Sequence, residues 1–290
     1  MKPHTTFKAL LAVAFWGASF VATKVALSEI SPVAVVVLRF AIGLAVILAV
    51  LAWRHQVAAP RHDDVAWLAL LGAIGITVHQ MLQANGLVTT TATNSGWLVA
   101  LIPIFTAVLA RLVVREPFGT VKIAGLALAT MGALVVIGRG SLSANLVRRA
   151  TPGDLLMLAS AVNWALFTAL SKRMIGRYAS ALLIAHIMAF GWLFTLPLLA
   201  VGSNAARLLP SSAGGWLSVG FLGFFCSGLA YVFWYDALAE AEAAAVASFI
   251  YVEPIVTVVL AAALIGETIT WPVVCGGATI LCGVWMVNRR

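Results

Sequence analysis

The sequence predicts an all-α integral membrane protein, its ten transmembrane helices arranged as two inverted five-helix repeats. Three observations lead there: the composition, the spacing of the apolar segments and an internal duplication. Hydrophobic residues make up 62% of the 290 and charged residues only 10%, against about 25% charged in soluble domains. A soluble fold of this length has no interior large enough for so much apolar side chain, so lipid must cover the rest.

The apolar segments run over 7–27, 33–53, 65–86, 95–114, 121–137, 153–172, 181–201, 216–238, 243–265 and 271–287. Each is about 20 residues long, enough to cross ~30 Å of hydrocarbon as a helix. A helix is required because lipid offers no partner to backbone N–H and C=O groups. Only HQVAAPRHDD and, near mid-chain, GRGSLSANLVRRATPGD are long polar connections. The first segment follows Lys2 and Lys8, as a signal peptide would, but its pattern recurs within the chain and it reads as the first span. Cys226, Cys275 and Cys282 lie in apolar segments without paired spacing or CxxC, so core filling is expected rather than disulfides or a metal site.

Charge sets the orientation. With the N-terminus inside, the inner side receives Lys2, Lys8, Arg54, Arg61, Arg111, Arg115, Lys122, Lys172, Arg173, Arg177, Arg289 and Arg290. The outer side receives Arg139, Arg148, Arg149 and Arg207, while Lys24 and Arg39 fall within helices. The positive-inside rule then places both termini in the cytoplasm. The net charge of +8 is thereby accounted for by orientation, with no nucleic-acid partner implied.

The duplication is direct. AFWGASFVATK and AVNWALFTALSK pair Trp16 with Trp164 and Lys24 with Lys172 at an offset of 148. LIPIFTAVLA and VEPIVTVVLA continue at an offset of 151, pairing Pro103 with Pro254, Thr106 with Thr257, Glu116 with Glu267, Gly125 with Gly276 and Gly132 with Gly283. The repeats are residues 1–139, helices one to five, and 153–290, helices six to ten. An odd number of crossings inserts the second copy in the opposite sense. Inverted repeats are the architecture of alternating-access carriers, with the substrate near the midplane between the copies.

The stretch HQMLQANGL, residues 79–87, sets the strongest candidates. His79, Gln80 and Gln83 share one helical face. Amides in hydrocarbon cost several kcal/mol unless paired, so the three face protein or a water-filled cavity. Interhelical hydrogen bonding is the alternative, but three such groups on one face favour a cavity; Asn85 lies nearer the surface. Trp16 and Trp164 sit about ten residues into their helices, too deep for an interfacial belt, and Asn163 precedes the second. YVFWY brings Tyr231 and Tyr235 to one face, overlapped by Trp234, with a place in the cytoplasmic aromatic belt as the alternative for Trp234 and Tyr235, and Tyr251 lies three residues before Pro254. Aromatic walls with a few amides suit a zwitterion bearing a variable, often apolar, side chain.

Charged residues within helices have several readings. Lys24 and Lys172 have stems that snorkel, for a structural or interfacial role. Arg39 in LRFAIG is deeper and needs a partner or water. Glu253 reads as a midhelix carboxylate whose first-repeat counterpart is Ile102. It would bind an ammonium, carry a coupling proton, or statically neutralise Lys24 or Arg39. Glu116 and Glu267 read as structural helix-terminus residues. Pro103 and Pro254 are expected to kink equivalent helices, as gating hinges or as static curvature. Gly125, Ala129 and Gly132, like Gly276 and Gly283, form small-residue stripes for close packing, within the bundle or in a dimer. A monomer or weak homodimer is expected. HExxH, GxSxG, facing acid pairs and GxxxxGK[ST] are all absent from the sequence, which argues against a membrane enzyme and against ATP-driven pumping by this chain alone.

Each half resembles an EamA domain of the drug/metabolite transporter superfamily. The first carries FWGASFVATK, a helix with LRF, then GLVTTTATNSGWLVALIPIFTAVLARLVVREPFGTVKIAGLALATMGALVVI. The second carries ALAEAEAAAVASFIYVEPIVTVVLAAALIGETITWPVVCGGATILCGVWMV. The resemblance covers nearly the whole chain and is weaker in helices six and seven. It implies a cofactor-free secondary transporter of a bacterial inner membrane, most similar to exporters of amino acids, aromatic ones among them. Its partners would be the small-molecule substrate and the lipid bilayer. Efflux of amphipathic drugs or other metabolites, and passive conduction, are the alternatives. Proton coupling would need a titratable group in the pathway, His79 or Glu253.

Overall fold

The computed structural model describes residues 2–114, 119–140, 150–174, 176–201, 207–241, 246 and 248–288. Its spans are α1 (Pro3–Leu27), α2 (Pro32–Trp53), α3 (His62–Thr89), α4 (Ala92–Leu109), α5 (Thr120–Ile137), α6 (Pro152–Ser171), α7 (Ser180–Ala200), α8 (Ala213–Glu240), α9 (Phe249–Ile265) and α10 (Trp271–Val287). The described residues contain no β-strand, and the spans agree with the sequence segments to within about six residues at either end. Glu116 and the Lys172 side chain lie outside what is described.

Helix ends follow local chemistry. The hydroxyls of Ser31, Thr91 and Ser212 accept the N–H groups of Ala34, Asn94 and Gly215 at 3.2, 3.0 and 3.0 Å, satisfying donors that a first turn leaves unpaired. The α9 helix ends on Gly266 at φ 66, where a side chain would strain the backbone. Glu267 then reaches into the other repeat and accepts from the N–H groups of Ala92 and Thr93 at 2.8 and 3.0 Å, closing the start of α4.

Glu29, between α1 and α2, makes a similar junction with the start of α8. It accepts from the Ser212 hydroxyl, from the Ser212 and Ser211 N–H groups at 2.9 and 2.8 Å, and from the Ser211 hydroxyl at 3.2 Å. Led by the Ser212 hydroxyl, these donors hold the carboxyl at about 2, against 4.5 ordinarily. Because the folded value is the lower one, the stabilisation is complete above about pH 4.5 and is lost as pH falls towards 2. Thermal unfolding in detergent across that window is expected to show a smaller acid-induced loss in Glu29→Gln than in wild type, from a lower neutral-pH melting temperature. Identical pH profiles would refute the assignment.

The duplication is visible helix by helix. The α3 and α8 spans are both 28 residues long and start 151 residues apart. Each contains a widened π turn at the same place, Ala73–Val78 in one and Leu222–Leu229 in the other. The α2–α8 crossing puts Gly43 on Ser227, and the α7–α3 crossing puts Gly191 on Ile76, the repeat-equivalent pair. Likewise α1 packs on α8 and α9, as α6 packs on α3 and α4.

The α4 and α9 spans are discontinuous, which revises the reading of their prolines. The first breaks at Ala100–Leu101, between Ala92–Val99 and Ile102–Val114. The second runs as a tight 3-10 turn, Ser248–Val252, before the α-helix Glu253–Ile265. Pro103 and Pro254 each occupy the second residue of the new segment, where a missing N–H sacrifices no helical bond. They mark a joint between two helical pieces, and Glu253 opens the second piece rather than lying within a continuous helix.

The small-residue stripes meet each other inside the bundle. The α5 and α10 helices cross antiparallel, so that a Cβ on Gly125 would lie 2.7 Å from the Gly283 carbonyl oxygen, and one on Gly132 would lie 2.6 Å from that of Gly276. The stripes therefore serve intramolecular packing. One correction concerns the thiols: Cys226 is buried, as a core filler should be, but Cys275 and Cys282 are exposed on α10. An apolar periodicity does not separate lipid-facing from core-facing positions when both environments are apolar.

Candidate functional site

A cavity of about 100 Å³ lies between the two repeats. Its position follows from the breaks in regular helix. The π turn of α3 ends at Val78, and His79, Gln80 and Gln83 of the next turns line the cavity. The π turn of α8 ends at Leu229, and Tyr231 lines it from the other repeat. The joints of α4 and α9 add Val99, Ile102 and Pro103, and Ile250 and Glu253. From α1 come Trp16, Ser19 and Phe20, from α2 Arg39, and from α6 Trp164.

Register across the duplication explains why the walls differ. Gln80 and Gln83 are equivalent, at an offset of 151, to Tyr231 and Trp234. One repeat thus carries carboxamides where the other carries aromatic rings. Trp16 packs against those rings, 5.5 Å from Tyr231 and 5.2 Å from Trp234 between centroids, and its indole N–H donates to the Cys226 carbonyl at 3.1 Å. Its equivalent, Trp164, packs at 4.6 Å on the His79 ring and at 4.8 Å on Phe167. His79 Nδ1–H donates to the Ser160 carbonyl at 3.2 Å. A carbonyl only accepts, so Nδ1 carries a proton.

Arg39 is 6% exposed. Its Nε–H donates to the Ser227 hydroxyl at 2.9 Å and its Nη1 to the Gln80 carboxamide oxygen at 3.3 Å. Neither partner is charged. Glu253, on the same cavity, makes no side-chain hydrogen bond or ion pair with any described residue; only its backbone carbonyl is used, by the Thr257 hydroxyl at 3.0 Å. The static pairing of Glu253 with Lys24 or Arg39 is therefore not what the structure contains. Lys24 instead donates to the carbonyls of Leu87 and Thr90 at 2.7 and 2.6 Å, which α3 leaves unpaired at its end.

Several sequence candidates lie off the cavity. The Asn163 amide donates to the Ile74 carbonyl at 2.8 Å, a bond opened by the π turn. Tyr235 packs against the apolar cluster of α2, α3 and α7, and Tyr251 against that of α4, α5, α9 and α10. Pro254 is buried and does not line the cavity, whereas Pro103 does. Ser19 and Phe20 were missed, although they stand three and four residues after Trp16 on its own helical face. Val99, Ile102 and Ile250 carry no polar signal that would set them apart in sequence.

Polar contacts tie both faces of the bundle. On the face holding residues 2–8, Lys8 lies 2.8 Å from Glu240, Thr5 donates to Glu240 at 2.6 Å, and Arg54 grips Asp236 through two bonds of 2.9 Å. On the opposite face, Asp154 accepts from Thr90, from the Asn94 amide at 3.2 Å, and from the Thr151 N–H and hydroxyl at 2.9 Å each. Among the described residues no group of three or more His, Cys, Asp or Glu is placed to hold a metal.

Comparison with known proteins agrees with this architecture. The EamA-like transporter family matches the chain twice, over residues 5–138 and 151–289. An uncharacterized transporter of Archaeoglobus fulgidus is 27% identical, covering 100% of this chain and 99% of its own length. A probable terminal-alkyne amino-acid exporter of Streptantibioticus cattleyicolor is 30% identical, covering 97% of this chain and 92% of its own. A crystal structure superposes with a TM-score of 0.68 at 19% identity, covering 99% of both chains. With the paired repeats, the broken helices and the cavity between them, these matches show that the chain belongs to the EamA-like transporter family, a multi-pass membrane transporter rather than an enzyme.

Proposed function

We propose that this transporter exports neutral amino acids, aromatic ones included, from the cytoplasm across a bacterial inner membrane, with both termini cytoplasmic. The observation that carries the reading is the cavity shared by the two repeats, lined by carboxamides and by indole and phenol rings. Such walls hydrogen-bond a polar head and accept apolar side chains of varied shape. The helix joints at Pro103 and Pro254 are equivalent positions in the two copies and supply the hinges for alternating access. The positive-inside charge distribution supports the orientation, and the name of the 30%-identical relative supports amino-acid export.

Counterflow in proteoliposomes tests the reading. Unlabelled neutral amino acids are expected to compete saturably for uptake of one labelled amino acid. Gln83→Ala and Trp164→Ala are each expected to weaken that competition roughly tenfold, the effect of losing about 1.4 kcal/mol of binding. Flux that never saturates would identify a pore, and the absence of exchange with any amino acid in folded protein would remove the substrate class.

A further inference from the structure

We infer that Arg39 and Glu253 are the two poles of the cavity, Arg39 holding the carboxylate and Glu253 the ammonium of a single zwitterionic substrate. The inference rests on the amino-acid reading above and adds the residues that set its specificity.

The first ground is that neither group has a partner of opposite charge among the described residues. The Arg39 guanidinium has five N–H donors, and its two side-chain bonds go to the neutral groups of Ser227 and Gln80. Its Cζ lies 5.2 Å from the Phe40 ring centroid, a contact that does not neutralise the charge. Glu253 has no side-chain partner among the described residues, and Lys24 is already bonded to backbone carbonyls. Uncompensated charge away from water is strongly unfavourable. A guanidinium and a carboxyl that face one cavity without charged partners leave each in want of a partner that arrives with the substrate.

The second ground is the duplication, which separates what the fold needs from what the site needs. The position equivalent to Arg39, at an offset of 148, is Ile187, and that equivalent to Glu253, at 151, is Ile102. Ile187 is 1% exposed, packed in the same helix setting. The scaffold is thus built in its other copy with isoleucine at both places. The charges are departures from the repeat, both of them on the cavity wall.

The third ground is chemical fit. An α-amino acid carries its carboxylate and ammonium on one carbon and is neutral overall, so it satisfies both poles at once. The planar guanidinium suits a two-oxygen acceptor. An amine or an acid alone would satisfy one pole and leave the other bare. With the head group so held, the side chain lies among the rings of Trp16, Trp164 and Tyr231.

The test is competition against radiolabelled phenylalanine in proteoliposomes, using phenylalanine, phenethylamine and 3-phenylpropionate. In wild type, each single-charge analogue is expected to compete at least tenfold more weakly than phenylalanine. Glu253→Gln is expected to reduce the preference over 3-phenylpropionate at least tenfold while keeping the preference over phenethylamine. Arg39→Gln is expected to do the converse. Arg39→Lys, which keeps the charge and loses the fork, provides a second readout should Arg39→Gln fail to elute as folded protein, with intermediate discrimination expected. Unchanged discrimination in the folded Glu253 and Arg39 variants would overturn the two poles and leave amino-acid transport standing. Failure of every amino acid to displace label from wild type would overturn both.

Discussion

Gly132→Leu is expected to prevent accumulation of folded protein, or to lower its melting temperature in detergent more than any other single change considered. A Cβ built at Gly132 meets the Gly276 carbonyl oxygen at 2.6 Å, the Ile280 nitrogen at 2.7 Å and Ile280 Cγ1 at 2.9 Å. Two of these are backbone atoms of α10, so rotamer changes give no relief and the helices must separate. Separation propagates, because Gly125, Ala129 and Gly283 share the crossing and depend on the same approach distance. Overpacking in a well-filled core costs about 1–3 kcal/mol when side chains can shift; here more than about 3 kcal/mol is expected, against a total stability of about 5–15 kcal/mol. In lipid the loss is not offset elsewhere, since close van der Waals approach is a main attraction between membrane helices. Gly220→Ala in α8 is the control: nothing lies within 4 Å of its Cβ position, and replacing a helix-interior glycine adds about 0.5–1 kcal/mol of stability. A Gly132→Leu protein melting within a few degrees of wild type would show that the α5–α10 contact is looser than described.

Features spread over many residues were legible in the sequence. Ten apolar runs, the two offsets and the glycine stripes are each repeated several times over, so no single residue had to be read correctly. Three polar groups on one face of α3 were legible for the same reason. What escaped was where the helices stop being α-helical. The π turns before His79 and Tyr231 and the joints before Pro103 and Pro254 depend on how neighbouring helices cross, as at Gly191 on Ile76. These departures decide which side chains reach the cavity. They turn Asn163 onto the Ile74 carbonyl and bring apolar Val99, Ile102 and Ile250 to the wall. Lys24 shows the complementary limit: its stem and position suggested snorkelling to an interface, but its ammonium closes the end of α3 through two carbonyls. Whether Arg39 and Glu253 pair was open in sequence, because spacing along the chain does not give the distance between side chains on different helices.

Asp154→Ala is expected both to destabilise the protein and to admit reagents to the cavity from the face opposite residues 2–8. Asp154 is fully buried, and its donors come from three places: Thr90 after α3, Asn94 at the start of α4, and Thr151 ahead of α6. Thr90 and Asn94 are themselves buried, at 1% and 4% exposure, so water does not replace the lost acceptor. Leaving those two donors unsatisfied costs on the order of 2–6 kcal/mol. The same truncation unties three helices at one end of the cavity, so opening towards that face becomes easier while the Lys8, Arg54, Asp236 and Glu240 contacts still hold the other. Glu240→Gln is the mirror experiment, because it leaves one acceptor oxygen where Thr5 and Lys8 now bond to two, and leaves Lys8 only Asp236, at 3.5 Å, as a carboxylate partner on the face holding residues 2–8. That junction is more exposed, so it is expected to shift access with little loss of melting temperature. With Ser19→Cys as a cavity reporter, in protein whose exposed Cys275 and Cys282 are replaced by serine, a membrane-impermeant maleimide is added to either side of oriented proteoliposomes. Labelling from the Asp154 side is expected to rise at least tenfold in Asp154→Ala, a shift of about 1.4 kcal/mol between access states, and labelling from the other side is expected to rise in Glu240→Gln. Equal changes on both sides in both folded variants would mean that these two junctions hold the fold together without gating the cavity.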